Sequence, residues 1–397
     1  MLKFDRERCK TMKIGFIGLG NMGFPMALNM MKAGYEVHGK NRSSKKEEAF
    51  AAQGGNVAHS YKQLAQEMDI IVTCLPMPED VQDVYLGEDG IIKHAREGLI
   101  LVDCSTVSPA LSASLEQAAD QAGLLFVDAP VSGGTTGAAS GTLTIMVGGQ
   151  QETFNKVLPV LQAVGQHIHW VGEAGSGSAV KLINQLMVGI HTQATSEALA
   201  LAEQFGLDLK QLFQILNVSF AQSKIFERHY TQFIAEQNYQ PGFAIKLLAK
   251  DLNLAVEAAS SMGVQSVVGA RVKALLQRAM HQGHGDQDMS GMFVYQQERD
   301  HQQREQGKLK HFAVFLPMLD PDKSVQYREE HLAFLAERRQ AGMLLANGRF
   351  VDGAGGLVIY RAASQDEVEH WVKQDPYIIQ QARRYEIHEW DIVLADE

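Results

Sequence analysis

Met12-Lys13-Ile14-Gly15-Phe16-Ile17-Gly18-Leu19-Gly20-Asn21-Met22-Gly23 joins a short apolar run to a glycine-rich turn, and a helical segment follows as far as Lys32. Strand, turn and helix in this order are what a phosphate-binding βα unit requires. Gly18 permits the tight turn, Gly20 keeps a Cβ out of the path of a pyrophosphate, and Gly23 lets the helix pack closely on the strand. The first N–H groups of that helix have no intrahelical partner and would face the anion. Gly18, Leu19, Gly20, Asn21, Met22 and Gly23 are therefore the expected cofactor loop of a dinucleotide-binding domain. Glycine turns of this spacing also occur without a ligand; the strand and helix on either side favour the functional reading.

Working outward, the runs MKIGFIG, DIIVTCL, LILVDCS, LLFVDA, TLTIMVGG and HIHWV alternate with helical stretches. One of these, residues 108–122, opens on Ser-Pro. The alternation predicts a Rossmann-type α/β domain with a mostly parallel, doubly wound sheet over residues 12–172. From 173 to 298 the strand signal stops and an all-α domain is expected, with helices at 181–205, 209–216, 221–236 and 244–262. Gly206 and Gly263 are the expected stops. Residues 296–310 (QQERDHQQREQGKLK) have no apolar periodicity and read as a linker, placed at 299–309, or as a solvated helix tail. The pattern then resets. Residues 310–397 read β-α-β-β-α-β, with helices at 323–341 and 364–373, the order of a ferredoxin-like α+β domain. Residues 1–11 are charged, without an apolar signal-peptide core, and read as an N-terminal extension. No repeat at a fixed period is present.

Composition narrows the classes of function. The chain has 397 residues, with 45% hydrophobic and 21% charged, ordinary for globular domains. A formal net charge of −10 argues against nucleic acid as a partner, because phosphate binding needs a basic face. No apolar run approaches the roughly 20 residues of a membrane span. Cys9, Cys74 and Cys104 have unrelated spacings and suit neither a disulfide framework nor a zinc site, and a cytoplasmic location is expected. No metal is expected; His284, Asp286 and Asp288 in GHGDQDMSG read as a turn.

The end of the second strand bears on the choice of cofactor. An acidic residue there would bind a ribose 2′-hydroxyl. This chain has Lys40-Asn41-Arg42-Ser43-Ser44-Lys45-Lys46, with no carboxylate before Glu47. Asn41, Arg42 and Ser43 suit a 2′-phosphate, which Arg binds bidentately. NADP(H) is favoured, with NAD(H) possible. A solvated charge run at a helix start would use the same residue types.

IGFIGLGNMGFPMALNMMKAGY closely resembles the N-terminal fingerprint of the 3-hydroxyisobutyrate dehydrogenase family, which includes the tartronate semialdehyde (2-hydroxy-3-oxopropionate) reductases. CLPMPEDV, DCSTVSP, DAPVSGGTTGAASGTLTIMVGG, GSGSAVKLINQ and NYQPGFAIKLLAKDLNLA follow in family order, over roughly residues 12–297. The resemblance implies a Rossmann-type domain followed by a helical one, and a likeness in reaction: hydride transfer between a nicotinamide and a small hydroxy acid or semialdehyde. It implies that Leu75, Pro76 and Thr106 border the cofactor and that Lys250 reaches the nicotinamide side. It further implies that Ser132, Gly133 and Gly134 hold the substrate carboxylate, that Lys181 is the general acid/base, and that Asn184 and Gln185 are its polar companions. The residues themselves fit these roles. Lys181, Asn184 and Gln185 share one face of an otherwise apolar helix, although a helical lysine is ordinarily solvated. Gly133 and Gly134 leave N–H groups open to an anion, although a glycine turn before a strand needs no ligand.

Two departures blur the substrate. The tartronate semialdehyde reductases usually carry Arg after PGF and an acid after the second strand, where this chain has Ala244 and Asn41. A short-chain semialdehyde or glyoxylate reductase stays open. So does a non-catalytic NADP-binding scaffold whose activity lies in the C-terminal domain. That domain resembles the YCII-related domain through REEHLAFLAERRQAGMLLANG, QDPYI and YEIHEWDI. The resemblance implies dimerisation and an active-site pair, His331 and Asp375, where a structural histidine and a helix-capping aspartate are the plainer alternatives. The expected partners are a small carboxylate substrate and further copies of the chain, as a homodimer or homotetramer.

Overall fold

The structure, a computed structural model, describes residues 12–307 and 309–392, so the 1–11 extension and Cys9 lie outside the described residues. The chain forms two compact units that divide between Gln296 and Gln297.

The first unit begins with a mixed sheet. Its strands are β1 (Lys13–Ile17), β2 (Glu36–Lys40), β3 (Asn56–Val57), β4 (Ile70–Thr73), β5 (Ile100–Asp103), β6 (Leu125–Asp128), β7 (Val131–Ser132), β8 (Leu143–Gly149) and β9 (Gly165–Gly172). The order is β3-β2-β1-β4-β5-β6-β8-β7, with β9 paired to β8. β3 through β6 are parallel, while β6 and β7 pair antiparallel with β8. The parallel part has the Rossmann order 3-2-1-4-5-6, whose switch point lies between β1 and β4. Alternate residues feed two cores. Ile14, Phe16, Ile70, Val72, Val102 and Val127 pack on one side, whereas Ile17, Ile71, Leu101 and Phe126 pack on the other. Helices cover both faces, which is why these strands read as unbroken apolar runs rather than alternating ones.

The rest of this unit is helical and is centred on a 29-residue helix, Ser176–Gln204. Helices Ile245–Ser261 and Val267–His281 pack on it around Leu248, Leu252, Val272 and Leu276. Gly206 and Gly263 end their helices with φ of 71° and 75°, a region that favours glycine. The helix expected at 221–236 instead starts at Lys224, because the Ser223 hydroxyl accepts the Phe226 N–H. It also changes pitch, becoming a π-turn at Tyr230–Ile234. The polar stretch continues a helix, Met292–Gly307, so the helix-tail reading describes it as far as Gly307.

The second unit is a four-stranded antiparallel sheet, β11-β12-β10-β13, formed by β10 (Lys310–Pro317), β11 (Leu344–Arg349), β12 (Gly355–Ala362) and β13 (Glu386–Trp390). Helices Arg328–Gln340 and Gln365–Val372 cross between strands, giving the ferredoxin-like order. The helix expected at 323–341 is two helices that meet at Tyr327. Phe312, Val314, Leu335, Tyr360 and Val368 form this unit's own core.

Each unit closes a core from its own residues. A chain ending at Gly307 is therefore expected to unfold cooperatively, with a midpoint within about 5 °C of the corresponding full-length transition. Calorimetry checks this; a broad, non-cooperative melt would show that the first unit does not close alone.

Candidate active site

The residues expected around a cofactor gather at the carboxyl ends of the parallel strands, where ligands of such sheets bind. Gly18 leaves β1 with φ of 101°, and a Cβ there would lie 2.3 Å from the Cys74 carbonyl oxygen. A Cβ on Gly23 would lie 1.9 Å from the Gly18 oxygen, so helix Gly23–Lys32 sits where only glycine fits. Gly20 differs: nothing lies within 4 Å of where its Cβ would be. The loop tip, Gly20 and Asn21, is exposed, and Met22 supplies no side-chain cap to the helix behind it. Open space and uncapped N–H groups fit a pyrophosphate.

Asn41 holds this loop in place, its Oδ1 accepting the Leu19 N–H at 3.0 Å. Arg42 is exposed and pairs with Asp80 at 3.0 Å, while Lys40 pairs with Glu47 at 2.9 Å. An open recess of about 510 Å³ lies beside them, lined by Lys40, Asn41, Arg42, Ser60, Tyr61, Lys62 and Asp89. Ser43 precedes the helix Ser44–Ala52 without capping it through its side chain. On the far side of β1, the Leu75 N–H donates to the Ser105 hydroxyl at 2.9 Å. That ties the β4 exit, including Leu75 and Pro76, to the β5 exit, which carries Thr106.

Lys181 is buried, at 7% exposure. Its Nζ donates to Gln185 Oε1 at 3.0 Å, and Asn184 Nδ2 donates to the same oxygen at 2.9 Å. Gln185 Nε2 donates to Asp251 Oδ2 at 2.6 Å. Lys250 pairs with the other Asp251 oxygen at 2.8 Å and donates to the Thr106 carbonyl at 2.8 Å. Five residues singled out in the sequence thus join one chain of contacts between the β5 exit and the long helix. Burial lowers the Lys181 pKa to about 8; the Asp251 carboxylate opposes this and the Lys250 charge reinforces it. Both lysines act electrostatically on the Cys74 thiol at the β4 exit, where burial raises the pKa to about 12.

The long helix is aimed by a carboxylate that sequence reading passed over. Asp128, at the end of β6, accepts the Gly175 and Ser178 N–H groups at 2.8 and 2.6 Å. Burial raises its pKa, against the pull of those two N–H groups. Gly177 allows the contact, since a Cβ there would stand 2.3 Å from the Met146 carbonyl oxygen. Ser132 ends β7, and Gly133 and Gly134, with φ of 138° and 64°, start a short helix that has no side-chain cap.

In the second unit, His331 Nδ1 lies 2.8 and 2.9 Å from the two Asp375 oxygens. Both residues are buried. The imidazole stacks on Tyr377 with centroids 3.9 Å apart, and Asp375 also accepts the Tyr377 N–H at 2.9 Å.

Asp251 and Asp128 were missed, yet each left a signal. Asp251 falls in the helical phase of Leu248 and Leu252, and Asp128 ends an apolar strand. An acid on a buried stripe needs a partner.

Family models match three stretches. The NAD binding domain of 6-phosphogluconate dehydrogenase matches residues 13–172. The NAD-binding domain of NADP-dependent 3-hydroxyisobutyrate dehydrogenase matches 175–295, and the YCII-related domain matches 294–391. The chain is 38% identical to the 2-(hydroxymethyl)glutarate dehydrogenase of Eubacterium barkeri over 71% of its own length and 94% of that protein's. It is 35% identical to the mitochondrial 3-hydroxyisobutyrate dehydrogenase of Mus musculus over 75% and 90%. The structure of Mycobacterium tuberculosis 3-hydroxyisobutyrate dehydrogenase with L-serine superposes with a TM-score of 0.66 at 32% identity, covering 72% of this chain and 98% of that one. Among the described residues no helix is long and apolar enough to cross a membrane.

Proposed function

The chain belongs to the 3-hydroxyisobutyrate dehydrogenase family of dinucleotide-dependent oxidoreductases, and we propose that it interconverts a small hydroxy acid and its semialdehyde, with Lys181 moving the proton and NADP(H) as the preferred cofactor. The observation that carries this reading is a buried lysine amine in a chain of hydrogen bonds, joined by the Lys250–Asp251 ion pair, that ends at the β5 exit. When bound, the nicotinamide supplies or accepts the hydride. In reduction, the Lys181 ammonium stabilises the negative charge that develops on the carbonyl oxygen and donates a proton to it. In oxidation, the neutral amine removes the hydroxyl proton. A pKa near 8 keeps both forms available close to neutral pH. Gln185 holds the amine in place, and Asn184 donates to the same Gln185 oxygen. The N–H groups of Gly133 and Gly134, together with the Ser132 hydroxyl, receive the substrate carboxylate.

Among the described residues the exposed Arg42 side chain pairs with Asp80 alone, so its guanidinium can turn to a 2′-phosphate beside the recess. Exposed apolar side chains on the helical part, among them Leu201, Phe205, Ile215, Val218 and Phe220, favour a homodimer or homotetramer. We further propose His331 and Asp375 as a second, separate reactive pair, since the carboxylate fixes Nδ1 and leaves Nε2 to act as a base.

Four measurements test these readings. A panel of small semialdehydes should reveal NADPH oxidation that Lys181→Ala lowers by about 10²–10⁴-fold in kcat, with cofactor affinity little changed. With the native enzyme, hydroxy-acid oxidation should rise as pH passes through about 8 and reduction should fall; turnover indifferent to Lys181→Ala would refute the assignment. Arg42→Ala should raise KM for NADPH far more than for NADH, and a native preference for NADH would remove the cofactor reading. Long-range ¹H–¹⁵N spectra should place the His331 proton on Nδ1, whereas the other tautomer would exclude Nε2 as a base.

A further inference from the structure

We propose that Asp251 is a positioning residue of this site, fixing the direction of the Lys181 amine through the Gln185 amide. This rests on the reading of Lys181 as the proton-transfer group. The Gln185 carboxamide lies between two demanding neighbours. Its oxygen accepts from Lys181 Nζ at 3.0 Å and from Asn184 at 2.9 Å, while its nitrogen donates to Asp251 Oδ2 at 2.6 Å. A flipped amide would set donor against donor at Lys181 and acceptor against acceptor at Asp251. The carboxylate therefore decides which end of Gln185 faces the lysine. Gln185 and Asp251 are 4% and 2% exposed, so water cannot readily take over either contact.

Asp251 lies on helix Ile245–Ser261, whereas Lys181 and Gln185 lie on helix Ser176–Gln204. The carboxylate thus registers the amine against a second helix. That second helix also brings Lys250 to the Thr106 carbonyl at the cofactor edge. The plainer alternative is that Asp251 serves only as counter-ion to Lys250 at 2.8 Å. The two roles have different consequences. A counter-ion supports stability, whereas a positioning residue sets turnover and the protonation of Lys181. The titratable groups acting on Lys181 are Asp251 and Lys250 from that helix and Cys74 from the β4 exit. Removing the Asp251 charge removes the principal influence holding the ammonium form, and the Lys250 charge pushes the same way.

The test is Asp251→Asn in the full chain, followed as oxidation kinetics against pH together with thermal melting. We expect kcat to fall about 10- to 100-fold with KM nearly unchanged, and the rising limb of the pH profile to move about one unit toward acid. Gln185→Leu should move the limb the same way, because the ammonium loses its acceptor. If Asp251 acts through Gln185, adding Asp251→Asn to Gln185→Leu should lower kcat by less than about two-fold further. An unmoved limb in Asp251→Asn, a change confined to melting temperature, or effects that multiply independently would each overturn the proposal. Should Asp251→Asn fail to fold, Gln185→Leu carries the test, and an unmoved limb there overturns it. Lys181→Ala separates the two levels. Normal turnover in that variant removes the proton-transfer reading itself, whereas an inactive Lys181→Ala beside an unmoved Asp251→Asn limb removes only this inference.

Discussion

The Asp128 carboxylate at the start of the long helix is the constraint on which the first unit depends. Its two oxygens accept the Gly175 and Ser178 N–H groups, which the helix cannot satisfy internally, and a negative charge suits that end of the helix dipole. Leaving a buried N–H without an acceptor costs about 1–3 kcal/mol, so the helix start is pinned to the end of β6. Glycines make the pin possible. Gly148 and Gly177 would each drive a Cβ into the Asp128 carboxylate and the neighbouring backbone. Once the first turn is fixed, Lys181 follows one turn after Gly177, and the helix carries it past the β8 backbone. The same helix then supplies Gln185 and the surface on which Ile245–Ser261 packs.

A buried lysine is unfavourable when charged, and this site balances that penalty rather than removing it. Burial and the Lys250 charge push the amine toward its neutral form, and Asp251 pulls it back. The result is an amine with a pKa of about 8, so that its neutral and charged forms are both accessible a little above neutral pH. Lys250 and Asp251 are adjacent in sequence yet serve different neighbours, one reaching Thr106 and the other Gln185. Two consecutive residues on one helix therefore connect the β5 exit and the amine.

Much of this was legible in the sequence, and the reasons differ by element. The β1–Gly18–Gly23 unit reads clearly because Gly18 and Gly23 are demanded by contacts local to the loop and its neighbouring strand. The second unit reads clearly because a reset in periodicity is visible without knowing what packs on what. Helix Val267–His281 did not stand out, since its exposed side carries Val267 and Val268 and blurs the amphipathic pattern. The break at Tyr327 was hidden because residues on both sides are good helix formers. Asp251 and Asp128 escaped notice because their partners are distant in sequence, at separations of 66 and 47–50 residues. An acidic residue on a buried stripe signals that some partner exists, but only the fold identifies it.

Asp375 shows why a choice between a structural and a chemical role is too narrow. Sequence reading set a helix cap against a histidine partner. The carboxylate accepts the Tyr377 N–H, as an N-cap does, and the same residue faces His331 Nδ1 with both oxygens. A cap fixes the direction of the side chain at the start of the short helix Pro376–Ile379. That fixed direction is also what a histidine needs from its partner if one tautomer is to be held. Stacking on Tyr377 then sets the ring plane, so a single helix start supplies both constraints on the imidazole. Lys181 is held by the same economy: each polar contact that orients it belongs to a residue whose own place is set by helix packing.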